Sequence, residues 1–250
     1  LYRKRLPLHY RLNFNFLYSR PLLTIMNIKE SYQLLQARIK NFYEVNKKQV
    51  QIVGIATLAI VGGMVYWFNF YLPSQEKEAS VKFAKMYHYF KTDSFDIVLK
   101  GDKKNKITSA VDIADDYGFT KKGKEAALVA GLSYLKKSEY NKALDYLDKF
   151  SANDALLGPS IIAAKAACKS GLGDLEKAAS LYEKAARLGD NEYTSVYFQK
   201  AGVHYELTKN YSAALSCYEE LDSKYGATRE GQDAEKYIYR LKGLMGELNK

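Results

Sequence analysis

Ala130-Gly131-Leu132-Ser133-Tyr134-Leu135-Lys136-Lys137-Ser138-Glu139-Tyr140-Asn141-Lys142-Ala143 has two counterparts further along the chain. The first runs from Ala166 through Gly171-Leu172-Gly173-Asp174-Leu175 to Ala178. The second runs from Ala201-Gly202 through Tyr205 and Lys209-Asn210-Tyr211 to Ala214. The closing alanines Ala143, Ala178 and Ala214 are 35 and 36 residues apart. A fixed period of that length is the signature of a stacked helical-hairpin repeat. Each unit is two antiparallel helices joined by a tight turn, written Ser-Glu-Tyr, Gly-Asp-Leu or Lys-Asn-Tyr. A small residue in the first helix (Gly131, Ala166, Gly202) is expected to let the second helix approach at its own small residue (Ala143, Ala178, Ala214). The aromatics Tyr134, Tyr182, Tyr205 and Tyr218 are expected to fill the space between hairpins.

The repeats set the frame for the flanks. Hairpins are expected over 124–157, 159–190 and 195–228, inside a domain spanning 75–250. An N-terminal cap over 75–120 is expected to hold a helix, Gln75–Phe90, with Ala79, Phe83, Ala84, Tyr87 and Phe90 facing inward. A shorter helix, Ile107–Tyr117, follows a polar loop, Lys91–Lys106. A C-terminal cap over 229–250 carries Ala234, Tyr237, Ile238, Leu241, Leu244 and Met245 on its inner face. A stack of this kind needs such terminal units, with a polar outer surface, to stay soluble.

Upstream the composition changes. Gln51–Gln75 has no charged residue, and its apolar part, Ile52–Leu72, is 21 residues long. As a helix it reaches about 32 Å, which matches a hydrocarbon core of about 30 Å. Tyr66, Trp67, Phe68, Phe70 and Tyr71 cluster at its C-terminal end, where an interfacial aromatic belt belongs, and Pro73 is expected to end the helix. No small-residue cleavage site follows, so the segment 51–72 reads as an uncleaved transmembrane helix. The net charge of +10 is concentrated here: residues 1–75 carry ten Lys/Arg and two acids, the rest 28 Lys/Arg and 26 acids. A basic flank beside an apolar span is an anchor pattern, and the near-neutral remainder argues against nucleic-acid binding. The adjacent Lys47-Lys48 pair places the N-terminus in the cytoplasm and the C-terminal domain outside it, which in a Gram-negative bacterium is the periplasm.

Residues 26–50 have an amphipathic pattern (Ile28, Leu34, Leu35, Ile39, Phe42, Val45) suited to a juxtamembrane helix on the cytoplasmic leaflet. Residues 1–25 are basic, acid-free and without a period. Two readings compete: a transit-like presequence, or an over-extended reading frame with the start at Met26, which the reading favours. Neither contributes to the fold.

Catalytic and metal chemistry is not expected. His9, His88 and His204 are scattered, Gly171-Leu172-Gly173 is a turn with no following Lys-Ser/Thr, and Asp115-Asp116 reads as a solvated pair ending a helix. Cys168 and Cys217 sit among small apolar residues, as buried free thiols do. No cofactor, small-molecule substrate or enzymatic activity is implied. The expected binding surface is the concave face formed by the first helix of each hairpin: Leu128, Leu132, Leu135, Ala163, Ala167, Ser170, Gln199, Val203 and Leu207. That stripe suits a helical or extended apolar segment of a protein partner. The other reading is that some of these residues pack against neighbouring helices.

The pattern resembles the tetratricopeptide (TPR) class of right-handed helical-hairpin solenoids, giving an all-α chain with one N-terminal transmembrane helix. The stripe lacks the Lys/Arg/Asn clamp with which such domains hold a C-terminal carboxylate. With a short cytoplasmic N-terminus, one anchor, the stretch Asp93–Asp102 and Asp115-Asp116-Tyr117-Gly118 before the first hairpin, the chain is similar to the YfgM-like family of bacterial inner-membrane proteins. That resemblance implies an adaptor beside the Sec translocon, with translocon subunits and a membrane-anchored periplasmic chaperone as partners. The alternative function is a cell-envelope or division scaffold that self-associates through its repeats.

Overall fold

A computed structural model of the chain describes residues 28–150 and 157–246. The expectations for residues 1–27, for 151–156 in the first hairpin and for 247–250 in the C-terminal cap lie outside the described residues. The chain divides into two units, Leu1–Val65 and Tyr66–Lys250.

In the first unit α1 (Ile28–Val45) and α2 (Lys47–Tyr66) follow each other closely. Asn46 joins them: its backbone N–H and its side-chain amide both donate to the Phe42 carbonyl at 3.0 Å, and Val50 N–H donates to Asn46 O at 2.9 Å. Leu34, Leu35, Ile39, Phe42 and Val45 of α1 are all exposed. The apolar surface of α2 is equally uncovered, and a Cβ added at Gly54, Gly62 or Gly63 would meet nothing within 4 Å. Its one interior hydroxyl, Thr57, donates back to Val53 O at 2.8 Å. That internal satisfaction is what a surface facing hydrocarbon requires. Among the described residues, the helix Lys47–Lys91 is the one long and apolar enough to cross a membrane.

In the second unit Pro73 does not end the helix. A π-helical turn, Trp67–Tyr71, precedes it and α3 (Leu72–Lys91) continues through it. Proline in a regular α-helix clashes with the carbonyl four residues back and removes one hydrogen bond. A wider turn just before it relieves both. Among the described residues the rest of the unit is helices and turns, with one isolated antiparallel bridge between Asp102 and Ile107. It comprises α4 (Phe95–Lys100), α5 (Ala110–Asp116), α6 (Lys121–Lys136), α7 (Tyr140–Asp148), α8 (Leu157–Gly171), α9 (Leu175–Leu188), α10 (Thr194–Leu207), α11 (Tyr211–Tyr225), α12 (Arg229–Gln232) and α13 (Ala234–Leu244).

The pairs α6–α7, α8–α9 and α10–α11 are the three hairpins, and their turns share one backbone conformation. Ser138, Gly173 and Lys209 occupy equivalent positions with φ of 59°, 81° and 60°. In each, the next residue's N–H donates at 2.9 Å to the carbonyl five residues back: Glu139 to Tyr134, Asp174 to Lys169, Asn210 to Tyr205. This left-handed residue closing the helix is a Schellman-type stop. Gly173 adopts it without the Cβ penalty that Ser138 and Lys209 bear. Asp174 and Asn210 then cap the second helices by accepting from the N–H of Lys177 and Ala213.

The same turn occurs once more. Asp93 has φ 54° and Ser94 N–H donates to Tyr89 O at 2.9 Å. Thus α3–α4 is a fourth, degenerate hairpin, and the polar loop expected over Lys91–Lys106 is corrected by α4, whose Val98 and Leu99 are buried.

Packing inside the hairpins also refines the expected register. A Cβ on Gly131 would come within 2.8 Å of Leu147 Cγ, and one on Gly202 within 2.6 Å of Tyr218 Cζ. The small residue of the first helix therefore receives the large residue one turn after the aligned alanine, rather than the alanine itself. Ala143, Ala166, Ala178 and Ala214 are fully buried, as are Gly131 and Gly202; Tyr182, Tyr205 and Tyr218 are buried and Tyr134 is half-buried, stacked on Tyr146 at 5.7 Å. The interior forms successive clusters along the stack, over α3–α6, α6–α8 and α8–α13. At the two ends the expected inner faces are each corrected at one position: Ala84 of α3 is exposed, and Leu244 of α13 is 60% exposed.

Candidate protein-binding groove

The first helices of the hairpins carry the expected binding stripe, and the structure divides it. Leu128 and Leu132 lie one turn apart on α6. Their inner sides pack against Ala143, Leu147, Ala164 and Cys168, and their outer sides open into a groove of about 880 Å3. The opposite wall is α3, where Phe83, Tyr87 and Phe90 form a ladder of rings, with centroids 5.3 Å and 5.8 Å apart. Ala84, Val129, Phe150 and Leu157 complete the apolar lining.

One rim is basic. Lys122 pairs with Glu125 at 2.5 Å and lies over the Phe83 ring at 5.3 Å. Lys121 and Lys124 border the groove with exposed side chains. The aperture is mostly aromatic and aliphatic with charge at its edge, the composition of sites that take an apolar segment and orient it by a few polar contacts.

The other seven stripe residues do not line this groove. Leu135 packs against the α6–α8 cluster, and Ala167 against the α8–α13 cluster. Ala163 is buried at 7% exposure and is corrected from surface to core. Ser170 accepts or donates at 2.8 Å with His204 Nε2, so its hydroxyl is engaged across two hairpins. Gln199 is half-buried, while Val203 and Leu207 are exposed on α10 away from the groove. The cause is side-chain size. Along α8 the stripe is written in alanine, which lets the neighbouring helix close over it, whereas at α6 leucine on one wall and three aromatics on the other hold the helices apart.

Phe83, Tyr87 and Phe90 face inward as expected, Phe83 within the α3–α6 core and Tyr87 and Phe90 against it, and they line the groove as well. Their spacing of four and three puts them on one face, and the presence of three large rings on a terminal helix was the signal that they form a wall.

The two thiols and His204 are held by packing. Burial raises the Cys168 thiol to about 11 and the Cys217 thiol to about 12, so both are neutral near pH 7 and weak nucleophiles. Both are free and buried. His204 is a packed helix residue, bonded to Lys200 O at 2.7 Å and tilted against Tyr182 at 5.2 Å. Asp115 and Asp116 end α5 and are both exposed, as expected; Asp115 also accepts from Lys149 Nζ at 2.7 Å and Tyr146 OH at 3.1 Å, and burial, with that carboxylate beside it, pushes the Tyr146 phenol to about 12. Among the described residues no three His, Cys, Asp or Glu side chains converge as a metal site.

With this geometry in place, comparison with known proteins adds one match. A family model described as a tetratricopeptide repeat-like domain covers residues 40–156. The matched range begins within α1 and includes the apolar helix, the α3–α4 hairpin, α5 and the α6–α7 hairpin. It therefore takes in both walls of the groove. No curated protein and no solved structure matches the chain. Residues 40–156 thus match a TPR-like domain, a type that suggests protein partners.

Proposed function

We propose that this chain is a membrane-anchored adaptor that holds an apolar segment of a protein partner in the groove between α3 and α6. The observation that carries the reading is the aromatic ladder Phe83–Tyr87–Phe90 facing Leu128 and Leu132 across an open groove. Tyr87, Phe90, Leu128 and Leu132 are half-buried, and the part of each that faces the groove favours burial against a partner, at about 25 cal/mol per Å2 of apolar area removed from water. The basic rim suits a partner segment flanked by acidic residues. The partner class follows from the resemblance: an inner-membrane protein at the Sec translocon, docking a periplasmic chaperone or emerging chains. The match over 40–156 supports treating the apolar helix and the first hairpins as one functional stretch.

Two experiments test this reading. The Lys47-Lys48 pair beside the span implies an external C-terminal domain, so a reporter fused after Lys250 that matures only outside the cytoplasm should be active. Activity from a cytoplasm-only reporter would overturn the orientation and the translocon role with it.

For the groove, a photo-crosslinking amino acid placed at Tyr87 or Leu132 in native membranes should give adducts containing translocon subunits or an anchored chaperone, identified by mass spectrometry. The same probe at Tyr239, exposed on α13, should not. Adducts only with further copies of this chain would replace the adaptor with a self-associating scaffold.

A further inference from the structure

The turn between α5 and α6 carries an aromatic residue in a place that does not need one. Phe119 is 43% exposed, between two buried residues, Tyr117 and Thr120. Its ring lies 5.6 Å from Trp67 and 6.0 Å from Tyr71, which are themselves 4.7 Å apart. Trp67 and Tyr71 are 42% and 36% exposed. The three rings form one cluster that leaves a large part of each ring open.

The turn is fastened to the start of α3 by polar groups on either side of Phe119. Tyr117 OH donates to Glu78 Oε1 at 2.6 Å and accepts from Lys82 Nζ at 2.6 Å. That phenol, and Lys82 beside it, hold the Glu78 carboxyl below its ordinary range, so it stays ionised as the acceptor. Glu76 Oε2 accepts from the backbone N–H of Lys121 at 2.8 Å and of Lys122 at 3.3 Å, placing a negative charge at the α6 N-terminus. Phe119 is therefore held in position, and its exposure is a property of the fold.

Trp67 and Tyr71 belong to the aromatic cluster that closes the 21-residue apolar run Ile52–Leu72. When that run spans a bilayer, rings at its end lie at the level of the lipid headgroups. A ring stacked on Tyr71 and tilted against Trp67 lies at the same level. We propose that Phe119 is a second membrane contact, contributed by the folded domain: it enters the headgroup region beside Trp67 and Tyr71 and holds the α5–α6 turn against the bilayer. Exposed Lys121, two residues on, adds an attraction to anionic lipid. The inference rests on the membrane-anchor reading and goes beyond it, because that reading alone places no residue of the α5–α6 turn at the membrane.

The test uses the full chain in vesicles of phosphatidylcholine with a minor share of phosphatidylglycerol. Trp67 is the single tryptophan, so its emission reports the belt. Lipids brominated near the top of the acyl chain should quench Trp67 in the wild type. In a Trp67→Phe background, the indole of Phe119→Trp should be quenched by the same lipids at least half as strongly, with weak quenching by aqueous iodide. In that background the indole of Tyr239→Trp, on exposed α13, should behave oppositely and serves as the aqueous reference. Each variant must first show the wild-type melting profile; Phe119→Tyr in the wild-type background, with unchanged Trp67 quenching, controls for disturbance of the cluster. Strong lipid quenching of Trp67 with iodide quenching of Phe119→Trp overturns the second contact alone. Absence of lipid quenching at Trp67 overturns the anchor reading, and this inference falls with it.

Discussion

Tyr218→Ala is expected to cost the folded domain about 3–5 kcal/mol, the range for removing a buried aromatic side chain. Tyr218 has no exposed surface. Its ring fills the space opposite Gly202, and stacks on Tyr237 of α13 at 4.8 Å. It thus joins the third hairpin to the C-terminal cap. Its hydroxyl donates to Glu206 Oε1 at 2.8 Å, and burial, with that carboxylate, pushes the phenol far above its ordinary range. Tyr218→Phe keeps the ring and loses only that bond. Glu206 retains Arg240, 2.5 Å away, so the cost should fall to about 0.5–1.5 kcal/mol. Because a stacked fold is stabilised by nearest-neighbour interfaces, the loss should be concentrated at the C-terminal end. Amide hydrogen exchange should speed up across α10–α13 in Tyr218→Ala while α3–α6 changes little. Equal destabilisation by Ala and Phe would mean that the hydroxyl, not the ring, holds the hairpin to its cap. A uniform acceleration across the domain would contradict the layered description.

The fold was legible where the repeat imposes the same local chemistry several times. Three turns with one pattern marked three hairpins, and the shared left-handed residues Ser138, Gly173 and Lys209 explain why the pattern recurs. The fourth hairpin was written in the same code, Asp93-Ser94-Phe95, but its second helix is only six residues long and lies in a polar stretch, so no helical period was visible. Pro73 misled for a different reason. A proline kinks or breaks a regular α-helix, and the π-helical turn Trp67–Tyr71 that precedes this one leaves no trace in hydrophobic periodicity.

The groove was half legible. Leu128 and Leu132 could be placed on its wall from repeat geometry. The opposing wall could not, because it depends on how α3 packs on α6, a contact between residues about 45 positions apart. Conversely, Ala163 looked like surface on the helical stripe. It is core because the neighbouring helices close over small side chains.

Leu132→Glu tests the central claim most directly. The side chain is half-buried, with one side against the α6–α8 cluster and the other open to the groove. A glutamate can keep its methylenes on the cluster and turn its carboxylate to water at the open side. The fold should therefore survive, with a stability loss of about 1–2 kcal/mol. When a partner segment fills the groove, that carboxylate loses its water and faces the aromatic wall, and an unpaired charge in such a place costs several kcal/mol. Each 1.4 kcal/mol is about tenfold in affinity, so binding should fall by about 100-fold. The measurement is quantitative co-purification of protein partners from gently solubilised native membranes, wild type against Leu132→Glu, beside the melting curve of each. Retained cooperative melting with near-complete loss of the groove-dependent partners is the predicted result. Unchanged partner recovery by a folded Leu132→Glu chain, or collapse of the fold, would contradict a binding groove between α3 and α6.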